Sequence, residues 1–219
     1  MKWQKFFFRL FFYALGLMFI AFGTAISINS DLGVTPVGSL PYVVSQVSGI
    51  DLGVCVTLVL SSYILIQIFI LRKEFKWINI TQILFSTMFG FFVDFARIVV
   101  GDFVIPGYPG RLLMIAIATI LVAIGVVIYA NTKLVNMPPE GLANALVQKF
   151  PKRAFYQMKI VVDSTGVLIA IAISLLVFGR LYGVREGTII SAILVGQVIK
   201  FIQKPIKNII EKICFKEAA

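Results

Sequence analysis

Leu32-Gly33-Val34-Thr35-Pro36-Val37-Gly38-Ser39-Leu40-Pro41 interrupts an otherwise apolar stretch of chain, and its reading decides the fold. A second interruption, Leu134-Val135-Asn136-Met137-Pro138-Pro139-Glu140-Gly141-Leu142, follows 102 residues later. Each comes just after an apolar run long enough to cross a bilayer, 6–28 and 112–130. Each leads into a short apolar-periodic piece, 42–47 and 143–150. A spanning helix needs about 20 apolar residues, so neither short piece crosses. Proline is favoured in the first turn of a helix, where its missing N–H is not needed. Pro36 and Pro138 are therefore predicted to start two short helices.

Outward from these breaks, further spans are predicted at 53–71, 80–100, 157–178 and 188–202. The shift of 102 residues aligns Ala14 with Ala116, Ala21 with Ala123, Gly23 with Gly125, Leu32 with Leu134 and Pro36 with Pro138. It continues through Leu40 and Leu142, Gln46 and Gln148, and Ser62 and Ser164. After a four-residue insertion, Gly90 meets Gly196 and Phe95 meets Phe201. The expected fold is all-α: a polytopic membrane protein with six spans in two three-helix repeats, 1–102 and 103–219. Three spans per repeat place the copies in opposite orientations, a recurring transporter plan.

Composition agrees. Of 219 residues, 59% are apolar and only 14% charged, against about 25% charged in soluble domains. A soluble globular domain, a disordered chain and a disulfide scaffold are excluded. The net charge of +10 is unevenly placed. With the N-terminus inside, the cytoplasmic segments hold Lys2, Lys5, Arg9, Arg72, Lys73, Lys76, Lys133, Lys149, Lys152 and Arg153. Flanking Lys159 joins them, as do Lys200, Lys204, Lys207, Lys212 and Lys216 of a basic tail. The opposite face holds Arg97, Arg111, Arg180 and Arg185. This bias puts both termini in the cytoplasm. The first run outlasts a signal-peptide core and is read as a retained span. The basic residues flank spans and form no separate domain, so no nucleic-acid partner is expected. Cys55 and Cys214 fall on opposite sides and cannot pair. Without histidine, proton chemistry falls to carboxylates.

Candidate site residues follow. The starts of the two short helices, with Thr35, Pro36 and Ser39 in one and Pro138, Glu140 and Asn144 in the other, would offer free N–H groups to a substrate. The alternative is that both helices merely cap the bundle, with Glu140 serving the helix dipole. Asp163 and Asp94 are intramembrane carboxylates, which are costly and often functional. Each also has a partner in reach on its own helix: Lys159 at i−4 and Arg97 at i+3. Glu186 and Thr188 can cap the sixth span. Gly16, Gly23, Gly90, Gly125 and Gly196 are expected at close helix crossings, and the Phe-rich start through Tyr13 in a lipid-facing aromatic belt. No phosphate loop, metal-binding pattern, cofactor motif or catalytic elbow is present, so no enzyme, metal or cofactor is expected.

At Leu32-Gly-Val-Thr-Pro36, Leu40, Gly49, Gly53, Phe92-Val-Asp94, Pro138-Pro-Glu-Gly-Leu142 and Gly183-Val-Arg-Glu-Gly-Thr188 with Gly196, the chain resembles bacterial membrane proteins of the YczE/YyaS/YitT type, in the YczE-like branch. It departs where the first-half counterpart of Gly187-Thr188 reads Thr81-Gln82. The resemblance implies six spans in the bacterial inner membrane. The repeat and the two broken segments point to a transporter of a small solute with a site between the halves. A substrate-binding subunit of a multicomponent importer and a non-transporting scaffold are the alternatives. The expected partners are the bilayer, a small-molecule substrate, and a second copy or another membrane protein.

Overall fold

The computed structural model describes residues 2–215; Lys216 of the basic tail lies outside them. The described residues are helical, in the order α1 (Lys2–Asn29), α2 (Pro36–Ser48), α3 (Leu52–Leu71), α4 (Gln82–Val100), α5 (Tyr108–Asn131), α6 (Pro138–Lys149), α7 (Phe155–Phe178) and α8 (Glu186–Cys214). Six are long and apolar enough to cross a membrane: α1, α3, α4, α5, α7 and α8. The chain is helical because hydrocarbon offers no partner to an open backbone N–H or C=O, and a helix satisfies both within the segment. At about 1.5 Å per residue, the 13 residues of α2 and the 12 of α6 reach only partway across.

Both short helices begin at the predicted prolines, and their approaches fold alike. Asp31 and Lys133, which the 102-residue shift exchanges, both take a left-handed backbone, at φ 54° and 53°. Just before them, Ser30 Oγ donates to the Ser27 carbonyl and Thr132 Oγ1 to that of Tyr129, each reaching back three residues. Gly49, at φ 70°, ends α2 in the left-handed conformation that glycine adopts without strain, and α3 starts three residues later.

The core is built on an antiparallel crossing of α1 and α5. A side chain on Gly16 would strike the backbone of Gly125, and one on Gly23 would strike that of Ala118. The shift converts one of these pairs into the other. Around this seam pack α4 on α1, α8 on α5, and both short helices on α3 and α7. Tyr13, Leu17, Leu60, Phe89 and Val93 fill the middle. Gly53 and Gly90 bring α3 and α4 together, whereas Gly196 meets nothing. The latter is a correction to its expected packing role, because α8 packs on α5 and leaves α7.

Two further expectations are corrected. The sixth span does not end at Ile202. Helix α8 continues through Pro205 to Cys214, and its Ile206, Ile210 and Cys214 pack with Phe12, Ile124 and Ile128. Tyr13 is not in the lipid belt either. Phe6, Phe7, Phe8 and Phe11 are exposed, but Tyr13 is fully buried against Phe85 and Tyr129. Both cysteines are free and buried.

Candidate functional site

The first turn of α6 carries Glu140 toward α7. Its Oε1 lies 3.1 Å from Lys159 Nζ, and the same ammonium lies 2.8 Å from Asp163 Oδ1. The i,i+4 spacing on α7 makes the second contact local. The first joins elements that the sequence pattern does not connect. Three ionic side chains thus meet where α6 rests on α7, each less than a third exposed. Tyrosines enclose them. Tyr13 of α1 and Tyr129 of α5 lie beside Glu140, and Tyr63 of α3 lies beside the Lys159–Asp163 pair. Glu140 Oε2 and the Tyr13 hydroxyl are buried without a hydrogen-bond partner.

The neighbouring face of α6 borders a cleft of about 200 Å³. Five amide side chains reach its wall: Asn79, Gln82, Asn136, Asn144 and Gln148. Gln82 is anchored from below. It exchanges hydrogen bonds with Gln67 of α3 at 3.2 and 3.4 Å, and Gln67 also donates to the Pro138 carbonyl at 3.1 Å. Gly141 leaves room for this amide pair, since a side chain there would meet both glutamines. Amides offer donors and acceptors without net charge, so the wall suits a neutral or zwitterionic polar solute.

The corresponding place beside α2 is filled. The segment before α8 lies against the 31–34 loop, with Val34 N–H donating to Gly183 O at 2.9 Å and Gly187 N–H to Leu32 O at 2.7 Å. Thr188 Oγ1 donates to Val34 O at 2.7 Å, and Arg185 adds a bond to Asp31 O at 2.8 Å. On its other side α2 borders an apolar crevice of about 10 Å³. The residues aligned with this seal are Trp77, Thr81, Gln82, Leu134 and Asn136. No backbone bond joins the two segments among the described residues, and the cleft opens between them.

The predicted site residues are therefore divided. Glu140, Lys159 and Asp163 come together, and Asn144, one turn further along α6, lies on the cleft. Pro138 contributes its carbonyl to Gln67. Thr35 and Ser39 are buried in the sealed half. Thr35 N–H donates to Ser27 Oγ, and Ser39 Oγ donates back to Pro36 O. Asp94 does not pair with Arg97 as its spacing suggested. Its Oδ1 accepts the Gly53 N–H at the start of α3, 2.7 Å away, and Arg97 stays exposed. Glu186 pairs with Arg185 at the head of α8. Sequence reasoning missed Tyr13, Tyr129, Gln67, Asn79 and Asn136. Only Gln67, a lone amide inside a span, carried a readable signal.

Six apolar spans, two broken helices and a buried ionic cluster define a polytopic α-helical membrane protein. The chain belongs to the family of unknown function DUF6198, whose model matches residues 7–204. It is similar to the "Uncharacterized membrane protein YczE" of Bacillus subtilis (strain 168), at 25% identity over 194 residues. That match covers 87% of this chain and 83% of the Bacillus protein. No solved structure matches the chain.

Proposed function

We propose that this protein moves a small polar solute across the bacterial inner membrane, through a pathway between two inverted repeats that α2 and α6 interrupt. The observation that carries the reading is the unequal pair of junctions: backbone bonds seal the 31–34 and 183–188 segments, while the aligned 134–136 and 77–82 segments part around an amide-lined cleft. Equivalent segments in unlike states are what alternating access requires, since one arrangement exposes each side in turn. The exchanged contacts along the α1–α5 seam and the matched left-handed turns at Asp31 and Lys133 support the repeat. The basic bias puts the open cleft on the cytoplasmic side, with both termini. The solute binds against Asn79, Asn136 and Asn144, and the Glu140 cluster supplies coupling. No catalysis is assigned.

The test uses proteoliposomes incubated with a defined mixture of small polar metabolites, their contents read by mass spectrometry. At least one solute should accumulate above protein-free vesicles. Joining Val34 to Gly183 by a double-cysteine bridge, in a background lacking Cys55 and Cys214, should stop that accumulation, and reduction should restore it. Full uptake with the bridge closed would overturn the reading.

A further inference from the structure

We infer that the Glu140 cluster binds one monovalent alkali-metal cation, held by Glu140 Oε2 and the Tyr13 hydroxyl. Three independent observations point there. The first is charge. Glu140 and Asp163 bring two negative charges and Lys159 one positive, and no other charged side chain acts on the Lys159–Asp163 pair. A bundle in hydrocarbon is left one positive charge short, and an unbalanced buried charge is costly.

The second is hydrogen bonding. Glu140 Oε1 is taken by Lys159 and the Tyr129 hydroxyl lies within hydrogen-bonding reach of the carboxylate, but Oε2 itself carries no hydrogen bond. The Tyr13 side chain is fully buried and its hydroxyl also lacks a partner. Buried polar atoms in native structures are almost always paired, so two orphans in one buried cluster point to a ligand. The Tyr13 ring stands edge-on to that of Tyr129, centroids 5.6 Å apart, and Tyr129 flanks Glu140.

The third is the donor set. The groups facing Glu140 are Tyr13 from α1, Tyr129 from α5, and Lys159 with Asp163 from α7; Tyr63 from α3 stands behind that pair. Apart from the ammonium, these are oxygen groups, which suit hard cations rather than soft ones. A divalent ion would leave an excess positive charge beside Lys159. Among the described residues no group of three His, Cys, Asp or Glu could hold such an ion. One unit of charge fits. As an alkali ion it would be ligated by Oε2 and the phenol oxygen.

The inference does not require the transport reading, although it would supply that reading with its coupling ion. Its test needs no transport. The purified full chain in detergent is unfolded thermally in sodium, potassium or choline chloride at constant ionic strength and pH. In parallel, infrared spectra are recorded for a protonated-carboxyl carbonyl band. An alkali ion should raise Tm by about 2–4 °C over choline, a rise lost in Glu140→Gln and reduced in Tyr13→Phe. A protonated-carboxyl band that disappears in Glu140→Gln, with no alkali effect, would mean that a proton balances the charge and overturns the inference, as does absence of both signals in the folded wild-type protein. Because the wild type alone can overturn it, a variant that fails to fold does not protect the idea. Binding without solute uptake would sink the transport reading and leave this one standing.

Discussion

Lys159 is the residue on which the site turns, since it alone joins the carboxylates of α6 and α7. Replacing it with methionine leaves two buried negative charges facing one another. Breaking a buried ion pair from one side costs about 3–5 kcal/mol. Lys159→Met should therefore lower unfolding stability by an amount near the bottom of that range, because the cluster keeps some exposure. Adding Glu140→Gln and Asp163→Asn should recover most of the loss, and chemical denaturation in detergent measures both. Asp94 is a milder case. Its carboxylate caps α3 from α4, so Asp94→Ala should cost about 1 kcal/mol by the same measurement. These two residues also show what could be read in advance. Lys159 and Asp163 are four apart on one helix, and a local pair survives folding. Glu140 is 19 residues from Lys159 and Asp94 is 41 from Gly53, so those contacts depend on how helices cross. The helical spacing of Asp94 and Arg97 was sound geometry, but an unpaired N–H at a helix start offered Asp94 a better partner.

Among the elements, the spans were legible because twenty apolar residues in a row have one use in a membrane protein. The half-helices were legible because proline marks a first turn. The end of α8 was not. Beyond Ile202 its lysines resemble a loose tail, yet Ile206, Ile210 and Cys214 recur every four residues and hold one face against α1 and α5. The seal before α8 was also hidden, since it is made mainly of backbone groups that carry no sequence signature. Thr188 is its one side-chain anchor from α8, donating to Val34 O and accepting from the Arg185 N–H. Thr188→Val keeps the shape and removes both. Hydrogen exchange in the 31–37 segment should accelerate about fivefold, the equivalent of one net hydrogen bond. Unchanged exchange would mean that the backbone bonds hold the seal alone.

For the whole molecule, orientation and packing each make a prediction. If the basic end faces the cytoplasm, an impermeant thiol reagent on intact cells should label Asp102→Cys and spare Lys152→Cys, with the pattern reversed in inside-out vesicles. The measurement is made in a chain without Cys55 and Cys214. The α1–α5 seam should be the least tolerant surface in the protein. Gly16→Leu and Gly125→Leu each push a side chain into backbone, which has no rotamer to escape by. Each should cost more than the usual 1–3 kcal/mol of an overpacked core and should cut the yield of folded protein in detergent.

The seam carries one more consequence. Two separate subunits meeting across a two-fold axis would have to be identical, so any buried charge would appear twice. In the proposed repeat the tether at 101–107 makes the partners one molecule, and their aligned residues differ. Opposite Glu140, Lys159 and Asp163 the first half aligns Gly38, Thr57 and Ser61. Tyr13 and Tyr129 face Ile115 and Ser27 in the same register. On the proposed repeat, joining both halves in one chain lets a single ionic centre exist inside a related frame, at half the desolvation that a true dimer would bear.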